Sequence, residues 1–313
     1  MYQPPRISYW AQLGILLGLF GGCTIIGSVV IFGIAALGWH IPLADIPRAI
    51  TQPENADLVR LAQGTGALVS MGLPALFFAR IVNRFPLREL RFSSRINIKQ
   101  LIMVVLLVFF ALYVSGALAE LNERIPIGDK LARRFKQMEK EYDDQVMVLG
   151  HMQNLRDYIY TLFIIAFIPA MVEEMYFRGC MQQLMTGWTK SAFTAILITS
   201  IVFSAVHISY YGFLPRMFLG FMLGYIFYYS GNIWLNILAH FLNNALVVTQ
   251  MYILSRQGKL SADAINESYP LYWGLVGIVA IIAVFMYFRK ESQKLRLQYP
   301  DPAPVHFSDD PFA

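Results

Sequence analysis

Long apolar runs separated by short polar breaks dominate the chain. A helix that crosses a bilayer needs about 20 mostly apolar residues. About eight stretches meet that need, near residues 10–37, 62–82, 98–119, 157–187, 190–208, 213–230, 232–252 and 271–288. The pattern predicts an all-α fold, a polytopic membrane helical bundle with about eight transmembrane helices. The first run exceeds the ~7–15-residue core of a signal peptide and reads as a span. No internal repeat or low-complexity tract divides the chain, so residues 1–313 read as a single integral membrane domain.

Two segments depart from this pattern. Between the third and fourth runs, residues 119–156 are rich in Lys, Arg, Glu and Asp. Within them Leu131, Phe135, Met138, Tyr142, Val146 and Leu149 recur at three- and four-residue spacing, one stripe of an amphipathic helix. Such an extramembrane helix is expected to lie on the membrane face, packed on the bundle; a lid over a substrate entrance is the alternative. Residues 298–313, rich in Pro and Asp, are expected to form a disordered tail.

Composition supports a lipid solvent. Apolar residues make up 57% of the chain and charged residues 14%, where a soluble protein carries roughly 25% charged. Mean hydropathy is +0.50. The net charge of +5 forms no basic face on a soluble module, which excludes nucleic acid as the expected partner. Arg80, Arg84, Arg88, Arg91, Arg95 and Lys99 follow the second run, and Arg289, Lys290, Lys294 and Arg296 follow the eighth. The Lys/Arg bias therefore places both loops, and with an even number of spans both termini, in the cytoplasm. Segment 119–156 then falls on the opposite side, against that bias. Cys23 and Cys180 lie in apolar stretches and make neither a disulfide framework nor a zinc-type cluster.

Ionisable groups inside a membrane cost roughly 2.5–3.5 kcal/mol each on insertion scales and are functional candidates by default. The chain concentrates them in one region. The fourth run holds Glu173, Glu174 and Arg178; the fifth ends at His207; the seventh holds His240, Asn243 and Asn244. Glu174 and Arg178 share a helix face and form a stabilising ion pair, while Glu173 points about 100° away, toward a cavity. His240 and Asn244 share a face of their helix. If the fourth and fifth runs turn back on each other near 187–190, Glu173 and His207 lie at similar depth, roughly 25 Å from the turn. Pro169, a turn before Glu173, should kink its helix. A poorly solvated carboxylate can act as general base on water, a histidine can hold or relay the proton, and a second histidine with an asparagine amide can supply donors to an oxyanion. A glutamate with two histidines could also bind zinc, through Glu173, His207 and His240. No His-Glu-x-x-His spacing is present, so the sequence requires no cofactor. Asn232, Asn236 and Asn243 are read as interhelical hydrogen-bonding residues, Arg216 as a side chain reaching to the interface, and Tyr210–Tyr211 as part of an interfacial aromatic belt.

These groups resemble the motifs of the CAAX-protease/bacteriocin-processing family. Glu173-Glu174-Met-Tyr-Phe-Arg178 is similar to its Glu-Glu-x-x-x-Arg motif, Phe203 to His207 to its Phe-x-x-x-His motif, and His240 with Asn244 to its third motif. The resemblance covers residues 157–252 as the catalytic core. It implies an intramembrane endopeptidase in which Glu173 activates water, His207 assists, His240 and Asn244 form the oxyanion site, and Glu174 and Arg178 hold the arrangement. The implied substrate is a membrane-embedded or lipidated peptide or protein. A non-catalytic scaffold or bacteriocin-immunity protein of the same fold is the alternative, and segment 119–156 or the acidic residues 309–313 could recruit a membrane-protein partner. The expected location is a bacterial inner membrane.

Overall fold

The architecture comes from a computed structural model that describes residues 7–265 and 270–299. Residues 300–313, most of the expected tail, lie outside the described residues. No β-strand occurs among the described residues. The principal helices are α1 (Tyr9–Gly38), α3 (Ile98–Glu123), α4 (Asp129–Gly150), α6 (Ala192–Ala205), α7 (Phe213–Ser230), α8 (Ile233–Arg256) and α9 (Leu271–Gln298), with α2 (Pro53–Val82) and α5 (Leu155–Thr189) as continuous helical rods. Each of the apolar stretches is thus helical, and α1, α2, α3, α5, α8 and α9 are long and apolar enough to cross a membrane. The chain is a polytopic, integral membrane helical bundle.

The shorter pair, α6 and α7, carries the first departure from the sequence pattern. α6 has 14 residues, about 21 Å of helix against a hydrocarbon core of about 30 Å. The apolar run predicts helix to residue 208, yet α6 stops at Ala205. The amides of His207 and Ile208 bond the carbonyls of Ser204 and Ala205, three residues back, which tightens the last turn. Ile208 then adopts φ +52°, and the chain reverses. His207 therefore sits in the α6–α7 turn, off the end of the helix.

Prolines shape the two long rods. Pro74 and Pro169 each follow a π-helical stretch, Leu68–Gly72 in α2 and Leu162–Phe167 in α5. Proline lacks the N–H and crowds the carbonyl four residues earlier; widening the turn accommodates both effects. At Pro169, where a kink is expected, the helix continues through such a widened turn.

Small residues let the helices approach. A Cβ on Gly274 or Gly277 of α9 would stand 2.5 Å from Ala117 or 2.8 Å from Val114 of α3, so only glycine permits this spacing. One apolar cluster joins α1, α2, α5 and α6, a second joins α3, α7 and α9, and α7 and α8 contribute to both. The outward side chains are apolar too: Ile25 on α1 and Val279 on α9 are each 69% exposed, as a lipid-facing surface requires.

The basic loop and the end of α9 meet at one end of the bundle. Arg95 donates to the Tyr299 carbonyl (2.6 Å), Asn97 to Glu291 (2.9 Å), and Arg296 to the Tyr228 carbonyl (2.7 Å). α4 lies at the other end. There Arg60, 2% exposed near the start of α2, donates to the carbonyls of Leu149 and His151 at 3.0 and 2.7 Å and closes off the C-terminus of α4. The apolar stripe of α4 grades from Leu131, half exposed, to buried Val148 and Leu149, so the helix packs on the bundle by its C-terminal half.

Candidate active site

The two adjacent glutamates of α5 occupy different environments. Glu174 and Arg178 are both fully buried, with Glu174 Oε1 2.8 Å from Arg178 Nη1. Across the bundle, Glu174 Oε1 is 2.9 Å from His240 Nδ1 and its Oε2 accepts from Asn236 Nδ2 at 3.3 Å. Asn236 also donates to the Leu223 carbonyl at 2.7 Å. Glu174 thereby joins α5 to α8, and Asn236 extends the link to α7. The ion pair read from the sequence is present, and it is one edge of a larger network.

Arg178 has two further partners. Nη2 donates to the Gly220 carbonyl at 3.0 Å, and the guanidinium lies 4.8 Å from the Phe203 ring centre. One turn along, Gln182 donates to the Gly224 carbonyl at 3.0 Å. Two residues four apart on α5 thus read two carbonyls four apart on α7. The glycines make room: a Cβ on Gly220 would come 3.2 Å from Ser200 Cα, and one on Gly224 2.6 Å from Ile196. The Gly-x-x-x-Gly spacing at 220–224 was a readable signal of close helix approach, and the sequence analysis gave it no role.

Glu173 has no such partners. Its Oε2 is buried without a hydrogen bond, and its side chain is 13% exposed. The nearest ionisable group is His240, with Nε2 at 3.8 Å. Glu173 lines a cavity of about 420 Å³ among α1, α2, α4 and α5, walled by groups such as Ile31, Leu58, Val59, Gln145 and Pro169. The wall is predominantly apolar, and the size lies within the usual range for ligand pockets. Glu173 thus faces a cavity, as the helical geometry predicted.

Phe203 links the remaining groups. Its ring centre lies 5.2 Å from that of His207 and 5.8 Å from that of His240, in addition to its contact with Arg178. His207 Nδ1 is 2.8 Å from the Phe203 carbonyl. A carbonyl only accepts, so Nδ1 carries the proton and Nε2 of the neutral ring is left as an acceptor. Asn244 lies one turn beyond His240, and its Oδ1 accepts from Asn243 at 3.4 Å. Among the described residues it makes no hydrogen bond with Glu173, His207 or His240. Phe203 therefore touches Arg178, His207 and His240, and both glutamates lie against His240; Asn244 joins none of these groups by a hydrogen bond. Asn236 makes the interhelical hydrogen bonds read for it from the sequence, whereas the contacts of Phe203 with Arg178 and His240 join residues distant in the chain.

Glu173, His207 and His240 are also the donors that a zinc ion, if one bound, would take by the sequence reading. Among the described residues no group of three or more His, Cys, Asp or Glu side chains is arranged to hold a metal ion. The bonds at Nδ1 of His240 and His207 leave both Nε2 atoms available, so the placement of the side chains, and not those bonds, argues against a metal. As placed, these residues do not fit a three-donor zinc site, and no chemical step below runs through a metal.

Residues 155–246 match the family of Rce1-like type II CAAX prenyl endopeptidases. No curated protein and no solved structure matches the chain. The matched segment contains both glutamates, Arg178, Phe203, both histidines and Asn244. α1–α4 and α9, including most of the cavity wall, lie outside it. The part of the chain that builds this site is therefore similar to the Rce1-like type II CAAX prenyl endopeptidases, and it is set within a larger membrane bundle.

Proposed function

We propose that the protein hydrolyses a peptide bond in a lipidated or membrane-embedded substrate, with Glu173 activating the attacking water. The observation that supports this most is the buried Glu173 oxygen without a hydrogen bond on the wall of an apolar cavity, beside a Glu174 both of whose oxygens accept hydrogen bonds. Environment divides the two carboxylates between a chemical and a structural role. In the reaction Glu173 takes a proton from water as the oxygen adds to the carbonyl carbon. The carbonyl oxygen becomes an oxyanion; its collapse breaks the C–N bond, and the leaving amine takes the proton from Glu173. His207, with Nε2 free to accept, assists this transfer. His240, held through Nδ1 by Glu174, presents Nε2 toward Glu173; donation to the oxyanion from that atom requires the ring to carry both protons. Asn244 supplies an amide donor after a side-chain rotation away from Asn243.

The cavity suits an apolar chain attached to the substrate. The polar side chains of its wall are Gln63, Gln145 and Glu173, and the rest is apolar, so a lipid group would fill it while the peptide passes Glu173. The bacterial inner membrane, with the basic end of the bundle in the cytoplasm, is the location we propose.

Mapping new peptide termini in membranes of cells that express wild type or Glu173→Ala at matched levels tests the function. Termini lost in the variant establish cleavage and identify its substrates. Rescue of a deletion phenotype by Glu173→Ala, with no change in termini, would instead favour a scaffold of the same fold.

A further inference from the structure

The α6–α7 turn that carries His207 contains a strained residue. Ile208 is β-branched and sits at φ +52°, a conformation that persists only where the surroundings enforce it. Two side chains from helices outside the matched segment grip this turn. Asn122, 1% exposed in the last turn of α3, donates through Nδ2 to the Tyr210 carbonyl (2.8 Å) and accepts through Oδ1 from the Leu214 amide (3.2 Å). Glu139 of α4 accepts from the Ser209 hydroxyl, at 3.0 and 3.2 Å to its two oxygens. That hydroxyl in turn accepts from the Gly212 amide at 3.1 Å. Phe135, one turn before Glu139, stacks on Tyr210 with ring centres 4.9 Å apart and planes 7° from parallel.

We propose that Asn122 and Glu139 are positioning residues for His207, acting by pinning the α6–α7 turn. The inference rests on His207 taking part in the reaction. It gives α4 a function: the same helix contributes Gln145 to the cavity wall, and Arg60 anchors its C-terminal end. α4 and the end of α3 are then parts of the active site supplied from outside the catalytic core. Arg216 strengthens the connection. Its guanidinium lies 5.5 Å from the Tyr142 ring centre of α4.

The test uses the full-length protein in detergent and two readouts. Modification of His207 by diethyl pyrocarbonate, quantified by peptide mass spectrometry, reports the placement of the ring without reference to activity. Cleavage of a lipidated peptide gives kcat and KM. Asn122→Ala and Glu139→Ala should each alter the modification rate of His207 severalfold while leaving that of His240 unchanged. Each should lower kcat about tenfold, the worth of a hydrogen bond or two, at little change in KM. Glu139→Gln keeps an oxygen to accept from Ser209 and should restore wild-type behaviour in both. In a His207→Ala background, Glu139→Ala should cost no further kcat. Unchanged His207 reactivity in the alanine variants, or an equal kcat loss in the His207→Ala background, overturns the proposal. Should Asn122→Ala fail to fold, half-buried Glu139 carries the test. A wild type that cleaves nothing overturns the endopeptidase reading, and His207 reactivity still decides the positioning.

Discussion

His240 bridges the two glutamates: its Nδ1 lies 2.9 Å from Glu174 Oε1, and its Nε2 faces Glu173 Oε2 at 3.8 Å. One carboxylate orients the ring, and the other stands where the chemistry is proposed to occur. The two should therefore respond differently to substitution.

Glu173→Gln should abolish catalysis and leave the fold intact. Its Oε2 has no hydrogen bond to lose, and loss of a general base costs about 10²–10⁴ in kcat. Glu174→Ala should act in the opposite way. It strips Arg178, 0% exposed, of its only charged hydrogen-bonding partner among the described residues. Breaking a buried pair from one side costs about 3–5 kcal/mol. Thermal unfolding in detergent beside peptide cleavage separates the two effects. A large stability loss in Glu173→Gln, or none in Glu174→Ala, contradicts the assignment.

Metal dependence is a separate question. Among the described residues no third donor stands with Glu173 and His240. We expect cleavage to continue after dialysis against a strong zinc chelator, with no gain when zinc is returned. Activity that disappears with the chelator and returns with zinc would require His207 to swing toward Glu173 and would replace the mechanism proposed above.

The helices and the ionisable cluster were legible because both are local signals. Runs of apolar residues mark α1 to α3 and α5 to α9, and Glu174–Arg178 and His240–Asn244 each sit one turn apart. Segment 119–156 was legible as an amphipathic helix for the same reason. What escaped was non-local. Asn122 meets Tyr210 and Leu214, 88 and 92 residues away, and nothing near Asn122 announces a partner. The end of α6 escaped because apolar residues run through Ile208, while the reversal depends on contacts from α3 and α4. Asn244 illustrates the converse: its spacing from His240 put it on the right face, but side-chain orientation left it bonded to its neighbour.

The Gly220–Gly224 face should tolerate no added bulk. Gly224→Val places methyl groups where Ile196 and the Gln182 carboxamide already stand, and overpacking costs about 1–3 kcal/mol. The displacement of α7 would carry the Gly220 carbonyl away from Arg178, so activity should fall with stability. A Gly14→Val control on α1, where a Cβ meets no neighbour within 4 Å, should change neither. Similar melting temperatures for the two variants would remove the close approach of α6 and α7 from the argument.

Glu139 gives a pH dependence with a definite sign. Burial under α4 pushes its carboxyl above the ordinary range and Asp143 adds to this, while the Ser209 hydroxyl and Arg216 work against the rise. The folded protein then holds the proton more tightly than the unfolded chain. Stability from this group is greatest at acid pH and declines as pH rises from the ordinary carboxylate range through the raised folded value. Docking of α4 on the His207 turn should loosen over the same window. Glu139→Gln removes the charge but keeps the acceptor for Ser209. Its melting temperature should meet or exceed that of wild type at neutral pH, and the difference should shrink on acidification. Melting curves for both proteins at matched pH values, from about pH 4 to about pH 7, give the comparison. A variant less stable than wild type at neutral pH, with the gap closing in acid, would show that the charge on Glu139 favours the fold through Arg216 and would reverse the sign.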